Sequence, residues 1–181
     1  KLLLLRNHGI VKNPDKLTQN PGPWYHEMQT LGYNYRLSDL HACLGISQLN
    51  KINSFIERRR EIVTKYNHDF KNIDWLTIPF EKSISYSAFH TYVLKIDFEK
   101  IGKTRKQIIE ELRKNNIGTQ VLYIPVHLQP YYRKNFNFNE GDFLVAEKFY
   151  EQEVSIPMYP ILETDDLEYI TSTILEVLSK D

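Results

Sequence analysis

The chain has 181 residues, of which 41% are hydrophobic and 25% charged, with 23 basic residues balancing 23 acidic ones. That composition builds a globular core and excludes a disordered chain, and the absent basic surplus argues against a nucleic-acid partner. A single cysteine, Cys43, rules out an internal disulfide, and no apolar run approaches the roughly 20 residues of a membrane span.

The chain opens on Leu2-Leu3-Leu4-Leu5-Arg6, which reads as the interior of a buried element and leads us to expect a piece of a longer protein. Residues 1–8 read as the tail of a helix stopped at Gly9, where glycine accepts the left-handed conformation. Asn13-Pro14-Asp15 and Asn20-Pro21-Gly22-Pro23 are turn signals, followed by a crowd of rings at Trp24, Tyr25, Tyr33 and Tyr35. Ser38 is placed to cap a helix running to about Leu49, with Leu37, Leu40 and Leu44 as its stripe. A longer helix follows. Its apolar residues Phe55, Ile56, Ile62, Val63, Tyr66, Phe70 and Ile73 recur at spacings of three and four.

Alternating β-branched and aromatic residues predict a strand over Tyr92–Ile96. Ile108, Ile109 and Leu112 predict a helix ending near Asn116, and Gly118 precedes a second strand over 119–123. Residues 143–154 are helical by period, 155–158 form a short third strand, and Thr164 or Asp165 caps a last helix. The order gives a small sheet covered by helices.

No two of the six histidines stand three or four residues apart, and no Cys or carboxylate cluster joins them, so no metal site is expected. Neither a Walker loop nor Gly-x-Gly-x-x-Gly is present. Cys43, inside a predicted helix, reads as a buried structural thiol. The Arg58-Arg59-Arg60 run reads as a solvated face.

Three segments carry more chemistry. Gly32-Tyr33-Asn34-Tyr35-Arg36-Leu37-Ser38 is a polar-aromatic loop just ahead of a helix N-terminus. Free N–H groups, the helix dipole and Arg36 could converge there on a carboxylate or phosphate. Equally, Asn34 could simply make a turn and Arg36 lie on the surface. The second segment, Tyr123-Ile124-Pro125-Val126-His127-Leu128-Gln129-Pro130-Tyr131-Tyr132, sets a histidine between prolines and tyrosines at a strand end. His127 is there either a ligand contact or a structural residue. In the third, Ser87-Ala88-Phe89-His90-Thr91-Tyr92-Val93, His90 opens a strand and reads as a partly buried, hydrogen-bonded residue, with a role at a site as the alternative.

These same segments resemble the DegT/DnrJ/EryC1/StrS family of sugar aminotransferases. The resemblance rests on Leu5-Arg6-Asn7-His8-Gly9, Gly32 to Leu40, Leu44-Gly45-Ile46-Ser47-Gln48-Leu49, Arg58-Arg59-Arg60-Glu61-Ile62, His90-Thr91-Tyr92-Val93, Gly118 to Tyr132, and Ser155-Ile156-Pro157-Met158-Tyr159-Pro160. It extends over essentially the whole chain. Gly118 to Tyr132 and Gly22 to Met28 are most similar to the pseudaminic-acid branch, which makes UDP-4-amino-4,6-dideoxy-N-acetyl-β-L-altrosamine from a UDP-4-keto-6-deoxy sugar.

The resemblance implies an α/β protein, the C-terminal part of a fold-type I aminotransferase, α+β in its small domain. Residues 1–50 would be a remnant of the large cofactor-binding domain, 51–74 the connecting helix, and 75–181 a small domain with a short antiparallel sheet covered by helices. It implies pyridoxal 5'-phosphate as cofactor, L-glutamate as amino donor, a UDP-sugar acceptor, a cytoplasmic location and a homodimer. Asn34 matches the asparagine that reaches the cofactor phosphate of the neighbouring subunit. Arg36 matches an arginine placed for a substrate anion, and His127, with Tyr123 and Tyr131 beside it, matches the nucleotide-sugar pocket; His90 joins them as a candidate. In the family the cofactor lysine precedes Gly-Glu-Gly-Gly, upstream of Leu-Arg-Asn-His-Gly. No such stretch occurs here, so the chain by itself is expected to be inactive. The alternatives are a catalytically incomplete nucleotide-sugar-binding or interaction module of the same fold, and a sugar 3-dehydratase with histidine in place of the lysine.

Overall fold

A computed structural model describes residues 1–179. The chain divides into two compact units, residues 1–51 and the part from Ile52 onward.

The first unit holds a short helix α1 (Leu2–Leu5), a two-residue pair of strands β1 (Ile10–Val11) and β2 (Glu27–Met28), and helix α2 (Asp39–Leu49). The strands run antiparallel, Ile10 opposite Met28 and Val11 opposite Glu27. Helix α1 stops at Arg6, short of the predicted Gly9. His8 and Gly9 both take positive φ, 57° and 69°, and carry the chain into β1. The Ser38 side chain caps α2 by accepting the His41 N–H. None of the residues of α1 or α2 is buried; Leu2 and Leu40 are more than 80% exposed. A unit of about 50 residues has too little interior to enclose such side chains. Cys43, expected to be buried, is exposed for the same reason.

The core lies wholly in the second unit. Helix α3 (Ile52–Phe70) buries Ile62, Val63, Tyr66 and Phe70, one stripe at helical spacing. Its end falls at Phe70 rather than 74. Strands β3 (Leu76–Thr77) and β4 (Tyr92–Ile96) come next, the latter as the alternation predicts. Helices α4 (Phe98–Ile101), α5 (Arg105–Lys114), α6 (Pro130–Phe136) and α7 (Leu144–Gln152) follow, then β5 (Glu153–Ile156) and α8 (Thr164–Leu178). The sheet is antiparallel in the order β3-β4-β5. Tyr92 pairs with Ile156 and Leu94 with Val154, and these side chains share the face turned to α3, α5 and α8 in one apolar cluster. Val93, Lys95, Glu153 and Ser155 occupy the other face.

Local signals explain the helix ends. Thr104 and Gln107 form a reciprocal capping box at the start of α5. The last helix is capped not by Thr164 or Asp165 but by Glu163, in a capping box with Asp166. The third strand begins two residues earlier than predicted, because α7 ends at Gln152 and Glu153 is already extended.

The predicted strand over 119–123 does not form. Gln120 makes a single bridge to Ser155, with N–H to O distances of 2.8 and 3.1 Å. In a continuing ladder the next bonded pair would be Leu122 with the Glu153 backbone. Leu122 N–H instead donates to the Glu153 side chain, and the pairing ends there.

The arginine run is not a solvated face either. Arg58 donates to Leu162 O at 2.6 Å, Arg59 to the carbonyls of Phe89, His90 and Met158, and Arg60 to Glu81 and Ser87 O. Three adjacent guanidinium groups thus tie to α3 the loop that enters β4 and the loop that leaves β5, which meet at one end of the sheet.

Candidate functional site

In the first unit, the segment at residues 33–36 is laid against 5–8 by backbone bonds. Tyr33 N–H donates to Leu5 O (2.7 Å), His8 N–H to Tyr33 O (2.9 Å) and Tyr35 N–H to Arg6 O (2.8 Å). Two glycines permit this approach. A Cβ on Gly32 would stand 2.3 Å from Gly9 N and 2.6 Å from His8 C, and one on Gly9 would stand 1.8 Å from Thr30 O. Tyr33 and Tyr35 stack at 5.0 Å between centroids, flanking Asn34. Asn34 bridges to Asn7 through the backbone and is exposed. Arg36 Nε donates to Asn7 Oδ1 at 2.9 Å, which orients the guanidinium. Its terminal nitrogens make no further bond among the described residues.

The helix N-terminus itself contributes less than expected. Ser38 caps it and lies 2.7 Å from His41 Nδ1, while Asp39 already places a negative charge in the first turn. The donors this turn leaves open are therefore the exposed Asn34 amide and the terminal nitrogens of Arg36. Asn7 is the residue that the composition of the loop did not reveal; its only signal was its place in Leu5-Arg6-Asn7-His8-Gly9.

In the second unit the candidates do not share one hollow. His127 is buried, 7% exposed, on a 3₁₀ turn, Val126–Leu128. Its Nε2 donates to Glu147 Oε1 at 2.8 Å, and its ring packs on Phe143 and Phe138 at 4.7 and 6.5 Å between centroids. Glu147 also accepts Gly141 N–H at 2.8 Å and Phe143 N–H at 3.1 Å. The Gly141 N–H and then His127 outweigh desolvation and hold the Glu147 carboxyl below the usual range. This arrangement makes His127 a brace for two loops, with its Nε2 committed to Glu147 rather than open to a ligand.

Tyr123, 76% exposed, lines an apolar hollow of about 710 Å³ with Pro125, Phe143, Leu144 and Phe149. His90 is exposed, contrary to the partly buried position expected, and opens onto a different cavity of about 630 Å³ with Gln120, Leu122, Ser155 and Tyr169. Its carbonyl, not its ring, is the group held, by Arg59 at 3.0 Å. Tyr131 lies exposed on α6 and meets Tyr132 edge-on at 5.4 Å. Glu147 escaped the sequence reading, although a lone acid among Phe143, Leu144, Ala146 and Phe149 was a usable sign. Among the described residues no group of three His, Cys, Asp or Glu is placed to hold a metal ion. No helix there is long and apolar enough to cross a membrane.

The glycine-dependent turn, the arginine run and the Ser155-to-Pro160 segment all fall inside one family model, that of the DegT/DnrJ/EryC1/StrS aminotransferase family, which matches residues 1–175. The chain belongs to this family. Its α/β fold, with a small antiparallel sheet and flanking helices, is that of part of a fold-type I aminotransferase. Among its relatives, the spore coat polysaccharide biosynthesis protein SpsC of Bacillus subtilis is 36% identical over 98% of the chain and 46% of SpsC. The UDP-4-amino-4,6-dideoxy-N-acetyl-beta-L-altrosamine transaminase of Campylobacter jejuni is 33% identical over 99% of the chain and 45% of that protein. Helicobacter pylori PseC, an aminotransferase involved in the biosynthesis of pseudoaminic acid, superposes with a TM-score of 0.83 at 27% identity, covering 98% of this chain and 45% of PseC. The chain thus spans about half the length of the curated relatives it matches. Members of the family are sugar aminotransferases that depend on pyridoxal phosphate.

Proposed function

We propose that this chain is the C-terminal part of a pyridoxal-phosphate-dependent aminotransferase that moves an amino group from L-glutamate to C4 of a UDP-4-keto-6-deoxy-N-acetylhexosamine, in the making of surface-glycan sugars such as pseudaminic acid. The observation that carries the reading is the turn at residues 33–36. Two glycines let it lie against the Leu5-to-His8 segment, and it presents an exposed amide and, two residues on, an oriented guanidinium. Such a pair suits a phosphate or carboxylate.

These residues fit the cofactor's anionic end: Asn34 would donate to the phosphate of a cofactor held by the partner subunit, and Arg36 would hold the carboxylate or phosphate of a substrate. The bound cofactor supplies the electron sink for transamination. The residues of this chain bind and orient; the lysine that moves protons lies in the upstream half, so the 181 residues alone are inactive. In this reading 1–50 belong to the large domain, 51–74 connect, and the remainder forms the small domain. Tyr123 and Tyr131 face the nucleotide sugar, and His127 shapes the pocket wall through Glu147, while His90, which opens onto a different cavity, stays outside it. The whole enzyme works in the cytoplasm as a homodimer.

The test is to supply the whole protein with pyridoxal phosphate, L-glutamate and the UDP-4-keto sugar. A UDP-4-amino sugar, formed only with glutamate, is the expected product. Binding of the UDP-sugar without amination would overturn this reading in favour of a nucleotide-sugar-binding module.

A further inference from the structure

Glu153 is a buried acid for which packing gives no reason. It opens β5, is 0% exposed, and lies on the sheet face away from the core, opposite Lys95. Its Oε1 accepts Leu122 N–H, while Oε2 has no hydrogen-bond partner among the described residues. Burial pushes its carboxyl above the usual range, against the opposing pull of the Leu122 N–H and of nearby Arg105. An apolar side chain would occupy this place at lower cost, so the carboxyl must be kept for what it binds.

What it binds is the group its own backbone would take in a regular sheet. Gln120 and Ser155 exchange both ladder bonds, so register assigns Leu122 to Glu153. The side-chain acceptor stands farther from the strand axis than a backbone carbonyl. The chain at Leu122 is therefore held away from the sheet edge, and the following residue turns out of the ladder. That residue is Tyr123, which reaches the apolar hollow beside Phe143 and Phe149.

We propose that Glu153 is a positioning residue, whose carboxyl replaces a backbone ladder acceptor and so directs Tyr123 outward. Its use in substrate binding rests on the reading of Tyr123 as a nucleotide-sugar contact, but the bond itself does not.

Residue-resolved amide exchange on the 181-residue chain tests the bond. Glu153→Met keeps the length and apolar contacts and removes the acceptor. It should lower protection at the Leu122 amide by about tenfold and shift the Tyr123 ring resonances, while Glu153→Gln, which keeps an acceptor, restores both. Unchanged protection in Glu153→Met would overturn the proposal and leave Glu153 as mere filling, whatever the melting temperature does. Should that variant not fold, the unaltered protein decides: the Leu122 amide proton shift should follow the titration of the Glu153 carboxyl, and an amide that ignores it overturns the proposal. A separate titration with UDP-N-acetylglucosamine reads the Tyr123 ring. An unmoved ring removes Tyr123 from the substrate site, and this result is independent of the exchange measurement.

Discussion

His127 and Glu147 lie 20 residues apart in sequence and 2.8 Å apart in space, and the same carboxylate takes the backbone N–H groups of Gly141 and Phe143. One acid therefore organises the 3₁₀ turn and the loop that leads into α7. The Gly141 N–H is the largest influence lowering the carboxyl's pKa, with His127 also contributing. A depressed folded-state pKa stabilises the fold above the ordinary carboxyl pKa of 4.5, and that stabilisation is lost as pH falls toward the folded value. Glu147→Gln should accordingly melt below the unaltered protein at pH 7, and the gap should close on acidification below pH 4.5. Melting curves across that range check it. A gap that widened in acid would contradict the assignment. His127→Ala removes a ring from the Phe138–Phe143 cluster and should cost about 1–3 kcal/mol in chemical denaturation.

Arg60 and Glu81 make a two-bonded pair, at 2.8 and 3.0 Å, and Glu81 also accepts Ser87 N–H. The Arg60 bonds, then Ser87, hold the Glu81 carboxyl down to about 2. Tyr86 lies over the guanidinium at 4.2 Å, so the loop from Glu81 to Phe89 closes on this pair. Glu81→Gln should speed proteolytic cutting within 82–88 at neutral pH. In the unaltered protein the loop should loosen only as pH falls from about 4.5 toward 2. Amide exchange of Ser87 and Phe89 across that range reports it.

Arg59 gathers three carbonyls, from Phe89 at 3.2 Å, His90 at 3.0 Å and Met158 at 3.2 Å. These belong to chain segments about 70 residues apart. Arg59→Met keeps most of the stem and should cost about 1–3 kcal/mol by leaving half-buried carbonyls unanswered. Arg59→Lys should recover only part of this, since an ammonium lacks the planar fork. Equilibrium urea unfolding of the three proteins measures the order.

The contrast between Tyr92–Ile96 and residues 119–123 shows what a sequence can and cannot display. The first strand is legible because its alternation is local, buried at Tyr92, Leu94 and Ile96. The second has the same β-branched look, yet its ladder is cut by a carboxyl 31 residues away. Helix α6 hid behind Pro130, which reads as a loop residue but is well placed as the first residue of a helix. Arg58, Arg59 and Arg60 looked like a charged face because their partners, distant backbone carbonyls and the Glu81 carboxylate, stand 20 or more residues away and leave no mark in the local sequence. At the candidate site, Asn34 and Arg36 stood out as a polar pair ahead of a capped helix. The contact that shapes their turn, Gly9 with Gly32, joins residues whose smallness has no meaning until the backbones meet.

That contact supplies the last prediction. Gly32 does not need glycine for a left-handed φ, since its restriction is space: an added Cβ would fall 2.3 Å from Gly9 N, 2.6 Å from His8 C and 2.9 Å from Leu5 O. All three are backbone atoms and cannot swing aside as a side-chain tip would. Gly32→Ala must therefore push 33–36 away from 5–8 and break the bonds from Tyr33 N–H to Leu5 O and from His8 N–H to Tyr33 O. An overpacking cost of about 1–3 kcal/mol is expected, together with loss of exchange protection at Tyr33 and Tyr35. On the reading proposed above, the same change in the whole enzyme should weaken retention of pyridoxal phosphate, because Asn34 rides on that turn. Gly45→Ala is the matched control: its Cβ would meet nothing within 4 Å, in a helix where alanine is favoured. If both variants behave alike, the close approach of the two backbones is not what shapes the turn that carries Asn34 and Arg36.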